Sequence, residues 1–288
     1  MEKKLSIYDG SWDKDFPLVM RFIDLKGVCS KPYKFIEAHP DYQAAKKNED
    51  RVAALSLVHD FLKTPENQKQ LEILKKNYHG AIIVPVHAIE AGGKNKIPGM
   101  LAEHISFITG LNINDNIIQK NTVHRTGTDE WYRFAFRPEY YGEVIPDKKY
   151  LLVDDVYSLG GSFNELRRFI ESNGGKVVQT IALATERSGP EIALNPLTLK
   201  SLIDRDGADK LQSFCKEINL YDGNYKALTE PEARALRRAS SLDYARDRIL
   251  AARQAGRSYM GAESSQEIGD KTSTITSVDD EHLRRIRR

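Results

Sequence analysis

Cysteine is scarce in this sequence, which has only Cys29 and Cys215 among its 288 residues. Two cysteines cannot form a disulfide framework or a zinc site with four cysteine ligands. Long apolar runs are also missing: none approaches the roughly 18 residues of a membrane-spanning helix, and the N-terminal sequence MEKKLSIYDG lacks the apolar core of a signal peptide. We therefore expect a cytoplasmic protein without a membrane partner.

An excess of charge of one sign is missing as well. The formal net charge is +2 at pH 7, which is too small to favour a nucleic-acid partner. What is present is the composition of an ordinary soluble protein, with 40% hydrophobic and 29% charged residues. A chain of this length can bury a sizeable core and form one or two domains.

Residues 150–163, with the sequence YLLVDDVYSLGGSF, predict a strand, a tight loop and a helix. The apolar run of the strand ends in Asp154 and Asp155, and Gly160 and Gly161 close the loop. The carboxylates therefore lie at the end of a buried strand, directly before a helix N-terminus.

The next helix and strand complete the unit. Ser162 and Glu165 have the spacing of a capping box, which would begin the helix, and the glycines at 174 and 175 would end it. The apolar run KVVQTIALA at residues 176–184 then predicts another buried strand. The order strand, loop, helix, strand favours a parallel sheet with a right-handed crossover.

The loop combines two features that a sugar phosphate requires. Backbone N–H groups in a glycine-rich turn at a helix N-terminus favour a phosphate, because the unpaired donors and the helix dipole both attract an anion. Acidic side chains accept hydrogen bonds from hydroxyls and help to hold a divalent cation. The predicted ligand is a sugar phosphate.

This segment resembles the motif that binds 5-phosphoribosyl 1-pyrophosphate (PRPP) in the type I phosphoribosyltransferases: an apolar strand, two acidic residues, two apolar or small positions, a Ser/Thr-rich step and Gly-Gly-Thr/Ser. The resemblance covers roughly residues 70–205. It implies that Asp154 and Asp155 hold the ribose hydroxyls and contact Mg²⁺ indirectly, through PRPP. The residues that would wrap the 5′-phosphate are Tyr157, Ser158, Leu159, Gly160, Gly161 and Ser162.

Two positions depart from the family pattern. The family places Thr before the glycines, where its hydroxyl bonds to the phosphate, but this sequence has Leu159. Loss of a charge-assisted hydrogen bond costs on the order of 1.5 to 3 kcal/mol if nothing replaces it. Ser158 stands where the hypoxanthine and guanine transferases carry an acidic residue, which argues against a close match to those enzymes. Orotate-type members can carry Ser there.

A second strand and loop precede this motif. Residues 80–89, GAIIVPVHAI, predict a buried strand, and Pro98 opens the helix that follows the loop. In the resembled family this loop contacts the pyrophosphate of PRPP. The matching residues here are His87, Ala88, Ile89, Glu90, Ala91, Gly92 and Gly93. The alternative is an ordinary loop in which Lys94 and Lys96 are merely solvated.

The segment between that helix and the acidic strand predicts a β-ribbon. Residues 117–124 and 131–136 look extended and flank RTGTDE, which suits a turn. Type I members have a mobile lid here, which would keep water from an oxocarbenium-like transition state. By this resemblance Lys120, His124 and Arg125 are catalytic cations for the departing pyrophosphate. The alternative is a solvent-exposed hairpin with ordinary basic residues.

The predicted fold class is α/β: a central parallel sheet with flanking helices, a β-ribbon lid and helical N- and C-terminal extensions. The predicted divisions are an accessory or hood segment at 1–68, a phosphoribosyltransferase-like core at 69–207, a helical extension at 208–261 and a mobile polar tail at 262–288. In the first segment a helix begins after Asp41 and runs to about Lys63, with Lys46 and Lys47 on its solvated side. In the extension, Thr229 and Glu232 form a capping box that opens another helix.

Two functions fit these patterns. The first is a Mg²⁺-dependent transferase that moves the phosphoribosyl group of PRPP to a nitrogen nucleophile, an unidentified acceptor base or amine, and releases pyrophosphate. The second is a catalytically weak PRPP- or nucleotide-binding module, acting as a sensor or as an effector subunit of a larger, for example defence-type, assembly. The intact acidic pair favours the first function, and the long ends outside the resemblance favour the second. We expect a homo-oligomer or a subunit of an assembly.

Overall fold

The structure is a computed structural model that describes residues 9–23, 32–86, 89–90, 93–121, 129–185 and 189–256. The strands are β1 (Met20–Ile23), β2 (Ile82–Pro85), β3 (Ile89–Glu90), β4 (Gly93–Lys94), β5 (Asn112–Ile113), β6 (Ile118–Gln119), β7 (Tyr140–Tyr141), β8 (Lys149–Tyr157) and β9 (Lys176–Thr185).

The helices are α1 (Pro32–Glu37), α2 (Tyr42–Lys47), α3 (Arg51–Leu62), α4 (Pro65–Asn77), α5 (Ile97–Thr109), α6 (Glu130–Ala135), α7 (Gly161–Ser172), α8 (Pro196–Asp206), α9 (Ala208–Glu217), α10 (Glu230–Arg238) and α11 (242–256). Among the residues that the structure describes, no helix has both the length and the apolar character needed to cross a bilayer.

Five strands form the central sheet, in the order β1-β9-β8-β2-β5, and every pair is parallel. The two long strands β8 and β9 lie next to each other in the middle, with Val153 opposite Ile181. Both strands are almost entirely buried, as expected for a parallel sheet covered on its two faces. The predicted fold class, a central parallel sheet with flanking helices, is confirmed.

The two faces of the sheet belong to different apolar clusters. Leu151 and Val153 pack with helices α1 to α5, whereas Tyr150 and Leu152 pack with α7. This division follows from the two-residue period of a strand, which sends successive side chains to opposite faces. The N-terminal part of the chain therefore packs directly on the sheet and also supplies its edge strand β1.

A third apolar cluster, here called the C-terminal cluster, forms from α6 and from helices α8 to α11. Its buried members include Trp131, Phe134, Leu202, Leu211, Phe214, Leu236, Leu242 and Ile249. Leu159, in the loop between β8 and α7, packs against this cluster. The helical extension is therefore in contact with the loop that carries the family resemblance.

The prediction of an extended run at residues 131–136 was wrong, because this segment is helix α6. Asp129 caps the helix by accepting a hydrogen bond from the Tyr132 N–H at 2.8 Å. Trp131 and Phe134, three residues apart, both face the C-terminal cluster, which is the spacing of a helix face. An antiparallel pair does form nearby, but its strands are β6 and β7.

Two other predicted boundaries also changed. The helix predicted from Asp41 to Lys63 is divided into α2 and α3, because Asp50 accepts hydrogen bonds from the Val52 and Ala53 N–H groups and begins a new helix. The strand predicted at 80–89 is limited to Ile82–Pro85. The capping box at α10 is confirmed, with both of its reciprocal hydrogen bonds present.

Asn67 provides a test of how the helices are attached to the edge strand. Its buried side-chain amide donates to the carbonyl oxygens of Phe22 at 2.8 Å and Phe61 at 2.7 Å, and so joins α4 to β1 and α3. Asn67→Ala should lower the free energy of unfolding by about 1 to 3 kcal/mol, because two largely buried acceptors lose their donor. Urea unfolding measures the loss, and Lys69→Ala on the exposed side of α4 is the control. Equal unfolding free energies for the two variants would contradict the assignment.

Candidate functional site

The loop between β8 and α7 contains only residues 158–160. Gly160 is the N-cap residue of α7 and has φ 80° and ψ 3°, in the left-handed region. The predicted order of strand, tight loop and helix is confirmed. The predicted capping box of Ser162 and Glu165 was wrong, because the helix begins two residues earlier than this box requires, after Gly160, which has no side chain to cap it. Glu165 instead lies 3.1 Å from the Arg137 guanidinium.

Asp155 is buried and its carboxylate is held on several sides. Its Oδ2 atom accepts hydrogen bonds from Lys46 Nζ at 2.8 Å and Asn95 Nδ2 at 2.9 Å, and its Oδ1 atom accepts from the Val156 N–H at 2.8 Å. Burial alone would raise the pKa of Asp155, but the charge and hydrogen bond of Lys46 and the Asn95 amide lower that pKa to about 2. This carboxylate is therefore ionised at neutral pH and directed at a protein cation.

Asp154 has a different environment. Its Oδ1 atom accepts a hydrogen bond from the Asp155 N–H at 2.8 Å, and the residue is half-buried. Since neighbouring residues of a strand point to opposite faces, the two carboxylates lie on different sides of β8. The Asp155 side faces α2 and the start of α5. The acidic pair is thus two carboxylates in unlike environments.

Lys46 was predicted to lie on the solvated side of its helix, and this was wrong. Only 11% of its side chain is exposed, and its ammonium contacts Asp155, which is 109 residues further along the chain. The helical pattern could not distinguish Lys46 from Lys47, which is exposed. The sequence indicated the position of Asn95 only weakly, as a polar residue just before a helix. Its Oδ1 atom accepts from the Ile97 N–H at 3.1 Å, as polar residues at helix starts commonly do.

The C-terminal cluster packs against the glycine-rich loop. The Thr229 hydroxyl donates to the Leu159 carbonyl oxygen at 2.5 Å, and the Leu159 side chain packs into the cluster. An Arg133 guanidinium nitrogen donates to the Ser158 hydroxyl. Leu159 and Ser158, the two positions that depart from the family pattern, therefore both contact groups outside the loop.

Arg137 lies beside the first residue of α7. A Cβ atom on Gly161 would come within 2.9 Å of the Arg137 Nη1 atom, so only glycine fits there without a shift of the guanidinium. The guanidinium contacts Glu232 Oε1 at 2.5 Å, Glu165 Oε1 at 3.1 Å and the Tyr221 hydroxyl. Burial would lower the pKa of Arg137, yet the two carboxylates keep that pKa well above its usual value. Its charge is balanced within the protein.

Of the three predicted lid cations, only Lys120 lies within the described residues. Lys120 directly follows β6 with 67% of its side chain exposed, and it pairs with Glu139 at 3.6 Å rather than with a group of this loop. His124 and Arg125 lie outside the described residues. The arginines that do reach the loop, Arg133 and Arg137, belong to the segment that the sequence had suggested to be a ribbon.

The predicted pyrophosphate loop is described only in part. His87, Ala88, Ala91 and Gly92 lie outside the described residues, and Ile89–Glu90 pairs antiparallel with Gly93–Lys94. Lys96, which follows this loop, pairs with Glu49 at 3.0 Å. Within the described part of the chain, no group of three or more His, Cys, Asp or Glu side chains could hold a metal ion.

Gly160 gives a test of the turn. An added Cβ would lie 2.9 Å from Tyr157 Cε2 and 3.2 Å from Thr229 Cγ2, and the Tyr157 ring is fixed by the hydrogen bond of its hydroxyl to the Glu191 carbonyl oxygen at 2.7 Å. Gly110 has nearly the same backbone conformation, φ 75° and ψ 13°, with nothing within 4 Å of an added Cβ.

Both glycine-to-alanine variants should therefore lose about 1 to 2 kcal/mol from the left-handed backbone. Gly160→Ala should lose a further 1 to 3 kcal/mol, roughly, from overpacking. Urea unfolding of the two variants measures the difference, and equal losses would show that the turn accommodates a Cβ atom at Gly160.

Lys46→Met tests the buried ion pair. At pH 7 it should lower the free energy of unfolding by about 3 to 5 kcal/mol, because a buried carboxylate loses its cation. The control is Lys47→Met, on the exposed side of the same helix, which should change stability by less than about 0.5 kcal/mol.

The effect of Lys46→Met should depend on pH in a defined direction. The folded-state pKa of Asp155 is about 2 and its ordinary value is 3.8, so the stabilisation is complete above pH 4 and is lost as pH falls toward 2. Without Lys46, burial raises the pKa of Asp155, so the difference between wild type and variant should begin to shrink above pH 4 and should be largely lost as pH falls toward 2. A difference that stays constant would show that the two charges are not coupled.

Comparison with known proteins places these features in context. No protein-family model matches the chain. It is 38% identical to Protein TraN of Escherichia coli over 248 residues, which is 86% of this chain and 52% of TraN. It is 34% identical to an uncharacterized protein of Haemophilus influenzae over 161 residues, which is 55% of this chain and 33% of that protein. The chain thus spans about half the length of the first relative and a third of the second.

Among solved structures, the purine phosphoribosyltransferase of Pyrococcus horikoshii is similar with 21% identity and a TM-score of 0.32, over 44% of this chain and 75% of that one. The adenine phosphoribosyltransferase of Leishmania donovani is similar with 14% identity and a TM-score of 0.31, over 57% and 65% of the two chains. At these scores the likeness carries no argument about activity, and the fold is assigned from the order and direction of the strands.

Proposed function

We propose that this protein is a phosphoribosyltransferase that binds PRPP at the carboxyl end of β8 and transfers the phosphoribosyl group to a nitrogen nucleophile. The observation that carries the proposal is the position of Asp154 and Asp155: they lie near the carboxyl end of a central strand of a parallel sheet, with two strand residues between them and the three-residue turn into α7. Open parallel sheets bind their ligands outside the carboxyl ends of the strands.

Each part of the ligand has a matching group. The 5′-phosphate would lie at the N-terminus of α7, where N–H groups of the first turn have no partner within the helix. The half-buried Asp154 would accept hydrogen bonds from the ribose hydroxyls. Asp155, kept ionised by Lys46, would add negative charge beside the sugar.

A Mg²⁺ ion would enter with PRPP and would be held mainly by the phosphates and hydroxyls of that ligand, with Asp154 bonded to the hydroxyls. Asp155 lies on the other side of β8, where both of its oxygens already accept hydrogen bonds, and would act on the ion only through its charge. When bound, the ion would neutralise the pyrophosphate that leaves.

Transfer forms one bond and breaks another. The lone pair of the acceptor nitrogen forms the new bond at C1 of the ribose, and the bond between C1 and the pyrophosphate oxygen breaks, so that its electron pair leaves with pyrophosphate. The positive charge that develops on the sugar ring would be stabilised by a nearby carboxylate, which this site supplies in Asp154. A neutral acceptor loses a proton in the reaction.

A second candidate function is a binding module without efficient transfer, serving as a sensor or an effector subunit. Two observations favour it. Asp155 is directed at Lys46 rather than at open space, and the C-terminal cluster packs on the phosphate loop through Leu159. Both contacts would restrain the site in one arrangement.

The two candidates differ in product formation. Pyrophosphate release from Mg-PRPP, measured across a panel of purine and pyrimidine bases and simple amines, should show turnover with at least one acceptor. Binding of Mg-PRPP without release with any acceptor would leave the sensor or effector function. No binding of Mg-PRPP would overturn both.

Asp154→Asn is the sharper test of the site, since replacing Asp155 would also disturb Lys46. The substitution removes the charge from the hydrogen bonds to the ribose and should weaken Mg-PRPP binding by about 10- to 100-fold in calorimetry. Asp147→Asn is the matched control, because Asp147 is exposed and precedes the opposite end of β8. Equal affinity of the two variants for Mg-PRPP would show that Asp154 does not bind the ribose.

A further inference from the structure

Helix α6 is fastened to the C-terminal cluster on one side. Trp131 and Phe134 are buried in the cluster, Glu130 pairs with Arg238 at 2.7 Å, and Asp129 pairs with Arg248 at 3.4 Å. These contacts join α6 to α10 and α11. They fix the position of the one short helix that lies beside the phosphate loop.

Two cations reach that loop, one from α6 and one from the segment just after it. Arg133 donates to the Ser158 hydroxyl, and Arg137, four residues later, lies beside Gly161. Arg137 is directed at the carboxylates of Glu165 and Glu232, and the partners of Arg133 include the hydroxyl of the loop itself.

Leu159 leaves the loop without a side-chain hydroxyl for a phosphate, so another group has to supply that contact. The side chain at this position packs into the C-terminal cluster, so it cannot offer a hydroxyl to a phosphate. The nearby Thr229 hydroxyl is directed at the Leu159 carbonyl oxygen. The same cluster that takes up Leu159 also holds α6, which brings the Arg133 guanidinium to the neighbouring residue of the loop.

An anion at this position would satisfy several groups at once. The N-terminus of α7 carries partial positive charge, and the Arg133 guanidinium adds a full one next to Ser158. A guanidinium binds a phosphate through two parallel hydrogen bonds, which are about twice as strong as those between neutral groups. One such contact outweighs the hydroxyl that Leu159 lacks.

We infer that Arg133 binds the 5′-phosphate of the ligand in place of the missing Thr hydroxyl. The inference rests on the proposed function, since it concerns the same loop. It adds a binding residue from α6 to that site.

Calorimetry of Arg133→Met with three probes tests this role. Mg-PRPP and ribose 5-phosphate both carry the 5′-phosphate, whereas Mg-pyrophosphate matches only the other end of PRPP. Arg133→Met should weaken the first two by about 10- to 100-fold and leave Mg-pyrophosphate unchanged. Arg133→Lys keeps the charge without the planar fork and should lose less. Arg237→Met, on the exposed side of α10, is the control and should bind all three probes as wild type does.

Comparison of the three probes separates a direct contact from a loss of structure, because a disturbed site would lose Mg-pyrophosphate as well. An equal loss for all three probes, or no loss for ribose 5-phosphate, would overturn the inference and leave the proposed function standing. A wild-type protein that binds neither 5′-phosphorylated probe would overturn the proposed function itself.

Discussion

The chain passes from β8 to α7 through three residues, with Gly160 in the left-handed region between the Tyr157 ring and the Thr229 side chain. There is no room for a side chain at Gly160, so the strand, the helix and the C-terminal cluster have one fixed arrangement around it. The two carboxylates at the end of β8 and the N-terminus of α7 are therefore held at a constant separation. A ligand with a phosphate and hydroxyls at that separation needs little reorganisation of the protein.

Segments on both sides of the region that resembles the transferases contact the residues of the candidate site. Lys46 lies before the region that resembles the transferases, roughly residues 70–205, and Thr229 lies after it. The first reaches Asp155 from α2, and the second reaches the Leu159 carbonyl from the N-terminus of α10. The motif in the middle of the sequence is therefore contacted by segments that lie before and after it in the chain.

The sequence predicted what local patterns encode. The runs of β8 and β9, the glycine-rich turn and the capping box of Thr229 each depend on residues close together in the chain, and all are present. Predictions failed where distant residues decide: residues 131–136 form a helix because the C-terminal cluster takes up Trp131 and Phe134. The position of Lys46 depends on a partner that no pattern within α2 could reveal. The roles of His124 and Arg125 remain predictions.

The Lys46–Asp155 pair joins positions 109 residues apart. Closing so long a loop has an entropic cost, and contacts of this range form only when much of the chain has already come together. The ionisation of Asp155 therefore depends on the folding of distant segments as well as on the residues next to it in the chain. Until α2 docks on the sheet, Asp155 lacks its lysine, so the charge pattern near the end of β8 depends on a contact between distant parts of the chain.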